Sequence, residues 1–393
     1  MAIIAPTMSA LRPSAKAASF AESVIREMTR IAQEHGAINL GQGFPDFPAP
    51  QALKDAAARA IAEDHNQYPI TWGVPAFREA IAAEYDRAYG MSVDPAKEIC
   101  VTCGSTEAVM ASFLGLLDPG DEVILFEPFY EAYGPDSILA GATRRYVTLH
   151  APDWSIDEAE LRAAFAPATR AIVINSPHNP TGKVFTREEL VMIAELCIEH
   201  DAIAITDEIY EHITYDGREH VPIATLPGMR ERTVTVSALS KTYSVTGWRV
   251  GWAIAAPALM DGIRATHDFM TVGAATPLQH AGVTALGLGE GYFASMRADY
   301  EARRALIMQV LDAAGFAAIA PEGAYYVMAD VSPLGFADDT EAAMHLVREI
   351  GVAAVPGSSF FSHADFGKHL LRFAFCKRLE TLQAAGERLA NLR

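Results

Sequence analysis

Lys241, Asp207 and Arg249 stand in two short blocks, Thr206-Asp-Glu-Ile-Tyr210 and Ser240-Lys-Thr-Tyr-Ser-Val-Thr-Gly-Trp-Arg249. A lysine can form an imine, a carboxylate can keep a pyridine nitrogen protonated, and an arginine offers a donor fork matched to phosphate. Those three groups are what pyridoxal 5'-phosphate (PLP) requires of a protein. Singly they say little, since most lysines are solvated and many aspartates begin turns. The block Ser176-Pro-His-Asn-Pro-Thr-Gly182 lies just upstream, and Ser237, Ser240, Thr242 and Ser244 surround the lysine. Together they favour a PLP enzyme.

Other residues fit around this centre. Asp207 closes the apolar run Ala202-Ile-Ala-Ile-Thr, and open α/β sheets bind ligands beyond the carboxyl ends of their strands. Tyr210 and Asn179 could each donate a hydrogen bond to the cofactor's phenolic oxygen. In Thr102-Cys-Gly-Ser-Thr-Glu107, Gly104 permits a tight turn, and Ser105 and Thr106 begin a helix. Such a start binds anions, although Ser and Thr are also ordinary caps. Tyr130, in Glu127-Pro-Phe-Tyr130, is the ring chosen to stack on a pyridine face; the plain alternative is a core aromatic. Arg372 is a charge inside the apolar strand Leu371–Phe375. A buried arginine needs an anion, either a structural carboxylate or that of a substrate. His178 reads as part of a turn, and His267 is given no role.

The elements that must position these groups alternate from about residue 97. Expected strands are Ile99–Cys103, Glu122–Phe126, Arg145–Leu149, Ala171–Asn175, Ala202–Thr206, Thr233–Val236 and Val250–Ala255. Helices are expected at Ser105–Leu117 and Arg187–His200. Continuous apolar strands alternating with helices predict an α/β fold with a mainly parallel sheet covered on both faces. A long Ala-rich helical segment through the 280s to about Ala314 then leads to strands at Ala324–Val331, Val352–Val355 and Leu370–Phe375, a smaller α+β unit. A helix at roughly Phe20–His35 is expected to pack on that unit.

The whole chain sets further bounds. Its 393 residues argue for two domains, or a large one with a smaller one attached. A net charge of −18 disfavours nucleic acid and anionic membranes as partners. No run approaches the roughly 18 apolar residues of a membrane span. Cys100 and Cys103 form a CxxC with no second pair, so two small apolar residues entering a loop is preferred over a metal or redox pair, and no metal is expected. Few cysteines, and no basic stretch in Met1–Pro6, point to the cytoplasm.

Taken together, these blocks resemble the class I aminotransferases of the fold-type-I PLP enzymes, from about Ile38 to Arg388. Asn39-Leu-Gly-Gln-Gly-Phe-Pro-Asp-Phe-Pro48 and the His-Asn-Pro-Thr-Gly block are most similar to the branch of kynurenine–glutamine and methionine aminotransferases. The resemblance implies an arm over residues 1–45, a PLP-binding domain over 46–282 and a small domain over 283–393. It implies that Lys241 carries the cofactor and moves the substrate proton, that Asp207 pairs with the pyridinium, and that Asn179 and Tyr210 bind the phenolic oxygen. Gly104, Ser105, Thr106 and Arg249 would hold the phosphate, helped by Ser237 or Ser240, and Tyr130 would stack on the ring. Arg372, Asn179 and the Gly43 backbone would take the α-carboxylate. A homodimer with shared active sites is implied, Tyr68 reaching the neighbour's phosphate.

The chain departs from that pattern in four places. Ala238 replaces a phosphate-binding serine of many relatives, which leaves that phosphate contact to Ser237 or Ser240. Val272–Pro277 is a run of small residues where kynurenine-active relatives carry aromatic and histidine side chains, and Ile25 stands where some have tryptophan, which weighs against kynurenine itself. No second arginine for a distal carboxylate stands out, which disfavours a dedicated aspartate enzyme. The resemblance therefore implies transfer from a neutral or aromatic L-amino acid (methionine, glutamine, phenylalanine, kynurenine-like) to a 2-oxo acid. Alternatives are a cysteine-conjugate β-lyase and an N-succinyl-diaminopimelate or aspartate aminotransferase. A non-catalytic PLP regulator is disfavoured, because the PLP-type pattern begins within the first forty residues.

Overall fold

The computed structural model describes residues 11–392. Met1–Pro6 and the first part of the expected arm lie outside them. An eight-stranded sheet runs in the order Ile99–Thr102, Gly251–Ala255, Thr233–Ala238, Ile203–Asp207, Thr169–Asn175, Glu122–Glu127, Thr143–His150, Ser155–Ile156. The five strands from Thr233–Ala238 to Thr143–His150 are parallel. Their apolar runs are continuous because both faces are covered. Ile124, Ile172 and Ala204 pack with Leu190 and Ile193 on one face, while Val123, Val173 and Ile205 pack with Val109 and Met260 on the other.

One strand departs from the expected parallel set. Gly251–Ala255 runs antiparallel to both neighbours. The connection from Thr233–Ala238 holds only the short helix Leu239–Thr242 and the turn Thr246–Trp248. A parallel return needs a crossover of a dozen or more residues, so the chain doubles back and Lys241 and Arg249 fall on one tight connection.

The Ala-rich segment is two helices, Thr276–Leu286 and Glu290–Ala314, because Gly289 takes φ 72° between them. A second sheet, Ala317–Ile319, Tyr326–Asp330, Leu370–Ala374 and Val355–Pro356, is antiparallel throughout. The N-terminal helix is Val24–Glu34, capped by Ser23. Ile38–Asn39 pairs with Val352–Ala353, and Met28, Ala32 and Leu40 are buried with Val347 and Leu371. Helices Gln51–Ala62, Pro75–Tyr89 and Pro257–Met270 complete the shell around the larger sheet. Among the described residues no helix is long and apolar enough to cross a membrane.

Helices Ser105–Leu116 and Pro257–Met270 touch at two glycines. A Cβ on Gly262 would lie 2.5 Å from the Gly115 carbonyl oxygen, and one on Gly115 equally close to that of Gly262. No side chain fits there without separating the helices. Gly262→Val is therefore expected to lower stability by about 1–3 kcal/mol, read as a reduced denaturant midpoint, and to shift the helix that begins at Ser105.

Candidate active site

The carboxyl ends of the parallel strands converge on a cavity of roughly 520 Å³. Strand Ile203–Asp207 delivers Asp207, and the turn after Thr169–Asn175 delivers Asn179. The loop after Ile99–Thr102 delivers Ser105 and Thr106, and the tight connection delivers Ser240, Lys241 and Arg249. Gly43, Tyr130, Tyr210 and Arg372 line it as well. A larger concavity of about 750 Å³, between Arg87, His212 and Glu301, lies apart from these residues.

Asp207 is buried. Its carboxylate accepts from Tyr133 Oη at 2.9 Å, and its backbone oxygen accepts from Asn175 Nδ2 at 2.7 Å. Burial raises its carboxyl to about 6, partly offset by the Tyr133 hydrogen bond. Lys241 Nζ donates to the Gly43 carbonyl at 3.1 Å and lies 5.6 Å from the Tyr325 ring centre. Burial lowers its ammonium to about 8. Near neutral pH a usable fraction is therefore the free amine, the form that attacks a carbonyl or takes a proton.

Asn179 accepts from Arg372 Nη1 at 2.8 Å through Oδ1, which leaves its amide nitrogen as a donor. Its own backbone N–H is fixed by Asn175 Oδ1 at 2.7 Å. Arg372 also donates from Nη2 to the Gly41 carbonyl at 2.7 Å, while its buried Nε has no partner among the described residues. Tyr210 Oη is 3.0 Å from Tyr326 Oη.

The phosphate-directed elements meet as well. The helix Ser105–Leu116 starts with no side-chain cap, so its first N–H groups face the cavity end unsatisfied by a cap. Gly104 has φ 82°, and a Cβ there would collide with the Arg249 guanidinium. That guanidinium donates to the Thr246 carbonyl at 3.0 Å. Ser240 Oγ is buried without a partner among the described residues. An orphaned hydroxyl, a helix start and a guanidinium fit a phosphate, while Asp207 fits a protonated ring nitrogen and Lys241 an aldehyde. The residues therefore suit PLP.

One expected residue is elsewhere. Ser237 does not reach the cavity; its hydroxyl donates to Glu211 Oε1 at 2.7 Å. Strand alternation turns Ser237 away from the face of Val234 and Val236, and Ser240, on the following short helix, lines the cavity instead. Tyr68 is 85% exposed and lies outside this chain's own cavity. His178 belongs to the turn, its Nδ1 2.8 Å from Thr181 Oγ1. Cys100 is buried on its strand, and the Cys103 thiol points to the Gly273 carbonyl.

The sequence reading missed Tyr133, Asn175, Arg26 and His267. The first two carried a signal, aromatic and amide residues next to named blocks. His267 Nδ1 lies 2.7 Å from Glu107 Oε1, and its Nε2 lies 2.8 Å from the Thr71 carbonyl. Both nitrogens thus face acceptors, which only the imidazolium satisfies in full. Burial opposes that charge, but Glu107 raises the pKa. The pair ties the start of helix Ser105–Leu116 to the segment following Tyr68.

This arrangement defines a PLP-dependent transferase, and comparison with known proteins narrows the class. The family pattern for aminotransferase class I and II matches residues 35–389. The chain is 43% identical to the probable N-succinyldiaminopimelate aminotransferase DapC of Mycobacterium tuberculosis, over 98% of each chain. It is 39% identical to kynurenine–oxoglutarate transaminase 3 of Mus musculus, over 92% of this chain and 86% of that one. The solved structure of N-succinyldiaminopimelate aminotransferase from Mycobacterium tuberculosis superposes with a TM-score of 0.95 at 42% identity, covering 97% of this chain and all of that one. The protein belongs to the class I and II aminotransferases, a PLP-dependent family, and is an aminotransferase that acts on an amino acid and a 2-oxo acid.

The buried Asp207 gives a signed pH dependence. Its folded pKa, about 6, exceeds the ordinary 3.8, so the cofactor-free protein loses stability as pH rises between them. Asp207→Asn is expected to stabilise that form above pH 6 by on the order of 1–3 kcal/mol and to match wild type below pH 4. The same variant should lose most transaminase activity. Melting temperatures across pH, beside turnover, check both halves.

Proposed function

We propose that Lys241, Asp207, Asn179, Tyr210, Arg249 and Arg372 carry the roles implied above in a ping-pong transfer from a neutral or aromatic L-amino acid to a 2-oxo acid. Bound PLP supplies the electron sink that stabilises negative charge at the substrate α-carbon. The residues do the rest. Arg372 and Asn179 fix the α-carboxylate and so aim the α-hydrogen. Lys241 Nζ, once displaced by the substrate amine, would take the α-proton and pass it on to the cofactor's carbon within the same half-reaction, and the second half-reaction would run that transfer in reverse. Asp207 holds the ring nitrogen's proton. The observation that carries this reading is the convergence of Lys241, Asp207 and Arg372 on one cavity. The wall near Ile25, Phe44 and Tyr130 suits an apolar side chain. Similarity to the mycobacterial enzyme favours N-succinyl-diaminopimelate as a second reading of the donor.

The test is a half-reaction. Purified protein should show visible absorption from bound PLP, lose it with a single L-amino acid, and regain it with a 2-oxo acid. Lys241→Ala should abolish turnover; near-normal transamination by that variant would falsify the assignment. Pyruvate released from a cysteine conjugate without an added acceptor would point instead to the β-lyase.

Shared sites in a homodimer are part of the proposal. Tyr68, Ile70, Phe269 and Val272 are exposed. Thr276 Oγ1 donates to the Gln67 carbonyl at 2.7 Å, which links the segment of Tyr68 and Ile70 to the one that follows Val272. A mixture of Tyr68→Ala and Lys241→Ala chains, co-expressed, should regain activity that neither has fully alone, because one site of each mixed dimer is intact. Mixtures no more active than their parents would argue for self-contained sites.

A further inference from the structure

The strand end that carries Asp207 is gripped from behind. Strand alternation sends Asp207 to one face and its neighbours Thr206 and Glu208 to the other. Asp207, Ile209 and Tyr210 line the active-site cavity, whereas Glu211 and His220 line the separate concavity beside Tyr89. The peptide between Asp207 and Glu208 is fixed on both sides. Its carbonyl accepts from Asn175 Nδ2 at 2.7 Å, and its N–H donates to the Val236 carbonyl at 2.8 Å. Beyond it the chain leaves the sheet, and buried side chains take over.

Glu208 Oε1 accepts from Thr206 Oγ1 at 2.8 Å, and Oε2 lies 2.7 Å from His220 Nε2. The Glu208 and His220 side chains are 2% and 3% exposed. Three residues on, Glu211 Oε1 accepts from Ser237 Oγ at 2.7 Å and Oε2 from Tyr89 Oη at 2.8 Å. His220 arrives from the loop that follows, its ring edge-on to Tyr89 with centroids 5.9 Å apart. Glu208, Glu211 and His220 bring polar atoms within 4.8 Å of one another, and His220 is the one of the three that can be a cation. Burial opposes that charge, but Glu208 outweighs it and raises the pKa, while burial lifts the Glu211 carboxyl to about 7. None of these groups is used by the transamination chemistry. A buried ion pair is a poor substitute for apolar packing as a source of stability; what it adds is direction.

We propose that His220, acting through Glu208, is a positioning residue for Asp207 and Tyr210. The pair anchors the back of segment 206–211. The Asp207 carboxylate thereby keeps the direction that meets the cofactor's ring nitrogen, and Tyr210 Oη the direction that meets its phenolic oxygen. Neither His220 nor Glu208 lines the cavity itself. This inference rests on the PLP roles proposed for Asp207 and Tyr210 and adds the groups that aim them.

The test separates aim from fold by using two cofactors. Holoenzyme is equilibrated with mixtures of PLP and its 1-deaza analogue, which keeps the aldehyde and phosphate but has no ring nitrogen for Asp207 to hold. The bound fraction of each is read after gel filtration. Wild-type protein should prefer PLP. His220→Ala should lower that preference by about 10-fold, the scale of one charge-assisted hydrogen bond lost. It should also lower kcat for an L-amino acid with little change in KM, because Arg372 is undisturbed. Glu208→Ala should do the same, and the double variant should lose no more than either alone, since the two act as a unit. His220→Gln, whose amide can donate near the position of Nε2, should recover most of the preference. Where His220→Ala fails to fold, His220→Phe, which keeps a ring in that space, takes its place. A preference within about twofold of wild type in the His220 and Glu208 variants, or additive losses in the double variant, overturns the positioning role. Wild-type protein with no preference between the two cofactors overturns the role given to Asp207, and the positioning role with it.

Discussion

The Arg372 guanidinium joins three separately built parts of this molecule. It rises from a strand of the C-terminal sheet, donates to Gly41 at the end of the N-terminal segment, and donates to Asn179 in the turn that follows a strand of the larger sheet. It is 1% exposed, and its two described acceptors are neutral, an amide and a peptide oxygen. A buried cation with neutral partners has more to gain from an anion than from further hydrogen bonds. The residue that ties the parts together is thus also the one that asks for a carboxylate.

The opposite sign is handled in the same manner on the same cavity. Asp207 is buried against Tyr133, and Lys241 sits between the Gly43 carbonyl and aromatic rings. Burial pushes both toward their uncharged forms. In the proposed roles, a positively charged ring nitrogen would reverse that tendency for Asp207, and an electrophilic carbon would make use of it in Lys241. The electrostatic discomfort of the site is the counterpart of what it binds.

Much of this was legible in the sequence. Strands buried on both faces are continuous apolar runs, so the parallel part of the sheet could be read directly. Strand direction could not, because the reversal at Gly251–Ala255 follows from the length of a connection and leaves no mark on the strand's own residues. Helices Gln51–Ala62, Pro75–Tyr89 and Pro257–Met270 went unassigned. The block residues around Lys241 and Asp207 were legible because one tight connection and one strand end carry them. Ser237 was misplaced because a two-residue period decides which face a side chain takes, and a cluster of hydroxyls does not reveal the phase. Arg26 was out of reach, since only the packing of the N-terminal helix brings it across the cavity.

The contact between Glu107 and His267 has a meaning that extends past one chain. It fastens the helix start at Ser105, which lines the cavity, to the segment that follows Tyr68. In the proposed homodimer that segment belongs to the interface and to the other subunit's site. Cofactor binding and subunit assembly would then draw on the same ordered element, and free-energy linkage is reciprocal. In that dimer, holding the cofactor would strengthen the pairing of subunits, and pairing would strengthen the hold on the cofactor, so that the two would behave as one cooperative equilibrium.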